Sequence, residues 1–153
     1  RLDSEGDAYL EYFAHEVRRL YPFTPMVGAR VRREFDWKGH RFSPGTLVIL
    51  DVYGTNHDAT LWDRPELFRP ERFRDWSGSA FDFIPQGGGD HSTGHRCAGE
   101  RVTIEGIKLA LTFLTRFMAY DVPAQDLGYS LRRMPTGPRS GFVISRVRLP
   151  SMR

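Results

Sequence analysis

Gln86-Gly87-Gly88-Gly89-Asp90-His91-Ser92-Thr93-Gly94-His95-Arg96-Cys97-Ala98-Gly99-Glu100 is the stretch that decides the reading. It carries the only cysteine of the chain, set between a glycine-rich loop and the start of a strongly periodic segment. After it, Ile104, Ile107, Leu111, Leu114 and Met118 recur at spacings of 3, 4, 3 and 4. Arg101, Glu105, Lys108 and Thr112 take the other side. That period is one apolar helical stripe. Cys97 therefore stands just ahead of a helix N-terminus, where backbone N–H groups and the helix dipole favour a thiolate over a thiol. A thiolate is a nucleophile or a metal ligand. Gly94 and Gly99 clear bulk on either side of it, where a flat ligand could approach.

Outward from this loop, length and composition set the bounds. The 153 residues make one ordinary domain. Apolar residues at 40% place the chain among globular rather than disordered sequences. One cysteine excludes an internal disulfide framework. No apolar run reaches the ~18 residues of a membrane helix, and no leader opens the chain, so a cytoplasmic location is expected. Of 22 basic residues 20 are Arg, with only Lys38 and Lys108 as lysines, for a net charge of +3. They are scattered rather than gathered on one stripe, which argues against nucleic acid as a partner. Arginine's planar fork does suit carboxylates and propionates.

Residues 4 to 21 read as a helix, capped by Ser4 or Asp7, with Leu10, Phe13, Ala14, Val17 and Tyr21 on one face and Pro22 as its stop. Residues 28 to 36 and 41 to 43 read as a hairpin around Trp37-Lys38-Gly39-His40. Pro44-Gly45 turns the chain into a short apolar segment, Thr46 to Leu50. Residues 56 to 86, with three prolines and little periodicity, read as a long packed connection. Beyond Pro123, Leu131 to Met134 and Phe142 to Val147 read as a second hairpin.

Several side chains invite chemistry. Gly87-Gly88-Gly89 lacks the Gly-Lys-Ser/Thr that completes a phosphate loop. His91, His95 and Cys97, with Asp90 or His57 as a fourth ligand, form a zinc-like set at a spacing that matches no common zinc motif. Glu16 and Arg19 are three apart and so neighbours on one helix face, next to Val17 and Leu20. Arg72, in Pro70-Glu71-Arg72-Phe73, could add a third charge.

Taken in order, these features resemble the cytochrome P450 family of haem-thiolate enzymes, over essentially all 153 residues. Glu16-Val17-Arg18-Arg19 resembles the family's E-x-x-R helix, Pro70-Glu71-Arg72-Phe73 its P-E-R-F meander, and Cys97-Ala98-Gly99 the end of its cysteine loop. The resemblance implies a mainly α fold with small β-hairpins, the C-terminal part of the cytochrome P450 architecture: E-x-x-R helix, hairpin, meander, cysteine loop, long haem-flanking helix and C-terminal hairpin. It implies haem b as cofactor and Cys97 as the axial ligand of its iron, a ligation that favours O–O cleavage. By the same resemblance His95 and Arg30 would bond the haem propionates and Gln86 would belong to the haem-binding loop. Glu16, Arg19 and Arg72 would form a structural charge triad.

The loop departs from the usual F-x-x-G-x-[R/H]-x-C-x-G, since Thr93 and Asp90 stand where Gly and Phe are expected. The longer run G-G-G-D-H-x-x-G-H-R-C-x-G-E resembles one branch, the bacterial fatty-acid peroxygenases, as do Asn56-His57-Asp58 and Pro138-Arg139-Ser140-Gly141-Phe142. That branch implies hydroxylation of long-chain fatty acids at the α or β carbon by hydrogen peroxide, without a redox partner. Phe23 to Val27 and the turn from Met134 to Gly141 would touch substrate. The distal helix, whose Arg pairs with the substrate carboxylate, has no counterpart here. The expectation is thus a C-terminal haem-binding part of a larger enzyme, inactive alone, with no catalytic residue of its own beyond the ligand. A reductase-dependent monooxygenase is the alternative within the family. A zinc-binding or interaction domain, or a non-catalytic fragment, is the alternative outside it.

Overall fold

The computed structural model describes residues 4–149. Helix α1 spans Ser4–Leu20. It starts at Ser4, so Ser4 and Asp7 lie inside its first turn rather than ahead of it, where Glu5 and Asp7 complement the positive end of the helix. Tyr21 N–H donates to Val17 O at 2.9 Å and closes the last turn. Pro22 then forbids continuation.

The expected hairpin is divided. Strands β2 (Phe35–Trp37) and β3 (His40–Phe42) pair antiparallel around Lys38 and Gly39, at φ 49° and 79°. Two left-handed residues are what a tight two-residue hairpin demands. Residues 28–30 leave this hairpin. They belong to β1 (Met26–Arg30), which pairs with β4 (Leu47–Asp51) in the register Gly28↔Ile49. The switch is fixed by Val31, whose N–H donates to Thr46 O while its own carbonyl accepts from Gly45 N–H. Asp51 ends β4 and caps the short α2 (Val52–Asn56), its Oδ1 accepting from Gly54 N–H at 2.7 Å.

The long connection carries a 3-10 turn at Pro70–Phe73 and packs as an aromatic knot. Trp62, Phe73 and Phe83 are buried, with Tyr12 and Trp76 against them. Ring centroids lie 5.1 Å apart for Phe73–Phe83 and 5.7 Å for Trp62–Phe73. Each such pair adds about 0.5–1.5 kcal/mol beyond area burial.

Helix α3 runs Glu100–Arg116. The stripe Ile104, Ile107, Leu111 and Leu114 is half-buried. Lys108, expected on the polar side, is instead buried against α1, its Nζ 3.0 Å from Asp7 Oδ1 and 3.4 Å from Glu105 Oε1.

The expected second hairpin does not form as read. Phe142 to Val147 only overlaps strand β6 (Ser145–Arg148), whose partner is β5 (Ala119–Asp121), just after α3. Residues 131–134 form turns. The segment that follows bonds elsewhere, since Thr136 N–H donates to Phe23 O and Arg139 N–H to Gly128 O. The described residues thus combine two long helices with three two-stranded antiparallel sheets. No helix among them is long and apolar enough to cross a membrane.

Candidate functional site

A cleft of about 960 Å³ opens between the end of α1, the cysteine loop and the first turns of α3. Val17, Phe23, Val27, Val52 and Ile107 give it apolar walls. Cys97 is exposed to it, two residues ahead of Gly99, the N-cap of α3. Gln86, His95 and Arg96 also line it, so three of the four sequence-derived cofactor residues (Cys97, His95, Gln86) converge. The fourth, Arg30, is not in the lining. It sits exposed at the end of β1 and donates from Nη1 to Gly45 O at 2.9 Å. Phe23, Thr24 and Val27 do face the cleft, and Thr136 Oγ1 ties their segment to the later turn by donating to Pro22 O at 2.6 Å.

The loop that carries Cys97 is shaped by close backbone approach. Gly87 sits at φ 93°, and a Cβ there would fall 2.1 Å from His95 O. A Cβ on Gly94 would lie 2.7 Å from Asp90 O. These glycines serve packing, not phosphate. Cys97 N–H donates to Gln86 O at 2.8 Å, which closes the loop onto its own beginning. Asp90 turns the intervening segment by accepting from the Ser92 hydroxyl, from Ser92 N–H at 2.8 Å and from Thr93 N–H at 3.1 Å. Those bonds, the Ser92 side chain first, hold the Asp90 carboxyl down to about 2. The zinc-like set does not assemble. His91 Nε2 is 3.6 Å from Glu100 Oε2, and His57 stacks on Tyr53 at 3.9 Å with Nδ1 2.8 Å from Tyr53 O. Among the described residues no three His, Cys, Asp or Glu side chains converge as a metal site requires.

Two charge clusters are built on α1, one against the meander and one against the cysteine loop. In the first, Glu16 and Arg19 are fully buried and bonded in bidentate fashion, Nε–Oε2 2.8 Å and Nη2–Oε1 2.9 Å. Arg72 Nε reaches Glu16 Oε2 at 3.1 Å, and Arg69 N–H donates to Glu16 Oε1 at 2.8 Å. Arg19 also donates to the carbonyls of Asn56 and Pro65, both at 2.8 Å. One helix turn thus pins the far ends of the meander.

The second cluster is absent from the sequence reading. Arg18 Nη2 donates to Glu100 Oε1 at 2.5 Å, with both side chains buried, and Arg18 Nε donates to Gln86 Oε1 at 3.0 Å. Arg96 grips Glu100 from the other side, Nε–Oε2 2.5 Å and Nη2–Oε1 3.0 Å. Burial pushes the Glu100 carboxyl up, but its bonds to Arg96 and Arg18 outweigh this and hold it down to about 2. The one sequence signal for this cluster was an acid closing the cysteine motif opposite a doubled arginine.

Residues 8–137 match the family model described as Cytochrome P450. The chain belongs to the cytochrome P450 family. It superposes on cytochrome P450SP alpha (CYP152B1) in complex with (R)-ibuprophen at TM-score 0.84 and 52% identity, covering 92% of this chain and 35% of that one. For cytochrome P450EX alpha (CYP152N1) with myristic acid the values are 0.83 and 49%, covering 92% and 34%. For a single-site variant of cytochrome P450 OleT in complex with arachidonic acid they are 0.83 and 48%, covering 98% and 35%. These likenesses agree with the peroxygenase branch that the lengthened loop resembles. The chain spans about a quarter of the length of the curated relatives it matches.

A cytochrome P450 holds haem, and the residues present fit that group. A sulfur donor faces the cleft, and a Cβ on Gly99 would already lie 3.6 Å from it. Apolar walls suit a macrocycle, while His95 and Arg96 offer donors for carboxylates. A soft thiolate suits iron.

Proposed function

We propose that this chain supplies the proximal, haem-holding side of a peroxide-dependent fatty-acid hydroxylase. The single observation that carries this is Cys97, exposed in an apolar cleft at the end of a loop lengthened as in the peroxygenase branch. Haem b is the proposed form, with Cys97 as axial ligand. Bound there, the haem supplies the oxidising chemistry: one peroxide oxygen enters a C–H bond as hydroxyl and the other leaves as water.

The chain's own residues hold and orient. Cys97 presents its sulfur from a backbone fixed by the Gln86 carbonyl. His95, on the cleft wall, would hold a propionate. Arg30, now bonded to the Gly45 carbonyl, would be the second propionate partner. Phe23 and Val27 give the cleft an apolar side against which a macrocycle or acyl chain would lie. Glu16, Arg19 and Arg72 keep the meander in place and touch no substrate. The myristic and arachidonic acids bound by two similar proteins support fatty acids as substrates. The α or β carbon is the proposed position, and hydrogen peroxide replaces a redox partner. A cytoplasmic setting accords with a lone, unpaired cysteine.

The test is the ferrous carbon monoxide spectrum of the haem-loaded protein, followed by turnover of myristic acid with peroxide alone by the full-length protein that contains this chain. A strongly red-shifted, thiolate-type Soret band that vanishes in Cys97→Ser supports the ligand assignment. A wild-type band without that shift would sink it. Turnover only with an added electron donor would move the assignment to a reductase-dependent monooxygenase.

A further inference from the structure

Arg18 and Arg19 are adjacent in sequence but serve opposite sides of α1. Arg19 turns to Glu16 and the meander. Arg18 turns under the cysteine loop, bonded to Glu100 and to Gln86, whose backbone carbonyl in turn accepts from Cys97 N–H. The exposure of Arg18 and Glu100 is 5% and 4%, and that of Arg96 is 21%. Two guanidiniums thus face one carboxylate, leaving one positive charge in excess beside the sulfur in the same cleft. The other ionisable groups facing the cluster are His15, with Nδ1 3.1 Å from Arg18 Nη1, and His91. Arg18, Arg96 and Cys97 all line the same cleft.

A single pair would clamp α1 to α3. A second, half-buried cation adds desolvation cost without adding a contact between helices, because Arg96 and Glu100 lie on the same segment. Its effect is electrostatic. An unscreened unit charge in a low-dielectric setting acts over several ångströms.

We propose that the Arg18–Glu100–Arg96 cluster is a positioning and charge-setting device, which fixes the net charge felt by the Cys97 sulfur and through it the ferric/ferrous balance of the bound haem. The proposal rests on the haem-thiolate reading above. Its sign follows from charge. Uptake of one electron from an external reductant makes the haem–thiolate unit more negative, so positive charge beside the sulfur favours the ferrous form. Removing the carboxylate raises that charge, and removing either guanidinium lowers it. A mere clamp would respond alike to loss of any member.

The experiment is a redox titration, monitored by absorbance, of the haem-loaded protein and its variants. Glu100→Gln is expected to shift the equilibrium toward ferrous by about tenfold, which is about 59 mV for a one-electron couple. Arg18→Gln and Arg96→Gln are expected to shift it toward ferric by a similar factor. Arg18→Lys, which keeps the charge, stays within about threefold of wild type. Arg96→Gln serves where Arg18→Gln does not retain haem. Shifts of one sign in all variants, shifts below about twofold, or equal loss of haem from all three would overturn the proposal. The carbon monoxide spectrum separates the two levels. A wild type without a thiolate-type band removes the haem-thiolate reading, whereas a thiolate-type band with same-sign shifts removes only this inference.

Discussion

Glu16→Gln is the substitution from which most can be worked out. Glu16 is wholly buried and accepts four hydrogen bonds: two from Arg19, one from Arg72 and one from Arg69 N–H. Glutamine keeps the shape but removes the charge, and it turns an NH2 toward groups that only donate. Arg19, itself without exposure, is left as an uncompensated buried cation. Breaking a buried pair in this way costs about 3–5 kcal/mol, a large part of the ~5–15 kcal/mol that a domain commands. With a urea m-value of about 1–3 kcal/mol/M, the midpoint falls by roughly 1–5 M at unchanged m. Trp62 fluorescence is the natural probe, since Arg19 lies 5.4 Å over its ring and the side chain is only 3% exposed. Arg19→Met is costlier still, because it also strands the carbonyls of Asn56 and Pro65, each left unpaired at about 1–3 kcal/mol. The double variant Glu16→Met/Arg19→Met loses less than the sum of the single changes, since neither charge is then left alone. A Glu16→Gln loss under about 1 kcal/mol, or strict additivity in the double variant, would refute the reasoning.

Three further outcomes are expected. Gly87→Ala drives a Cβ to 2.1 Å from the His95 carbonyl at a positive φ, so it should abolish haem uptake, measured as Soret absorbance per chain; normal uptake would show that the loop can move aside. Burial first, then the neighbouring Arg18, pushes His15 down to about 4. Its folded value lies below its unfolded value near 6.5, so the unfolded chain takes up the proton first. Stability is then whole above about pH 6.5 and falls as pH drops toward 4, while the Glu100 contribution is lost lower, between about 4.5 and 2. Urea midpoints across this range should show the upper loss, and His15→Gln should flatten it. Gly106→Ala, where a Cβ meets nothing within 4 Å inside α3, should raise thermal stability by about 0.5–1 kcal/mol, and a fall would show crowding.

What was legible in the sequence was local or motif-borne. Lys38-Gly39 fixes a tight turn because only left-handed residues close it, and the structure has it there. Glu16 and Arg19 are three apart on a helix, so their pairing needs no tertiary knowledge. Partner choice was not legible. Residues 28–30 are equally able to pair with the next hairpin arm or with 47–49, and the bonds at Val31 decide. Leu131 to Met134 has strand composition, but its surroundings bond to Phe23 and Gly128. The Arg18–Glu100 pair spans 82 positions, and no periodicity links its members. Only the packing of α1 against α3 brings them together.

Helix α3 shows the limit of periodicity most directly. The stripe at 104, 107, 111 and 114 predicted one buried face, and that face is only half-buried. Val102, Leu109, Phe113 and Phe117 lie outside the stripe and are exposed, Val102 at 76% and Leu109 at 71%, while the polar Lys108 is buried. A helix with apolar residues on more than one face is built to be covered on more than one face. The spacing of apolar residues records every surface against which a segment packs in the fold it evolved in. This chain spans about a third of the solved proteins it superposes on. The half-satisfied stripe and the exposed leucine and valine are therefore one observation: the sequence pattern of α3 offers more apolar surface than the described residues cover.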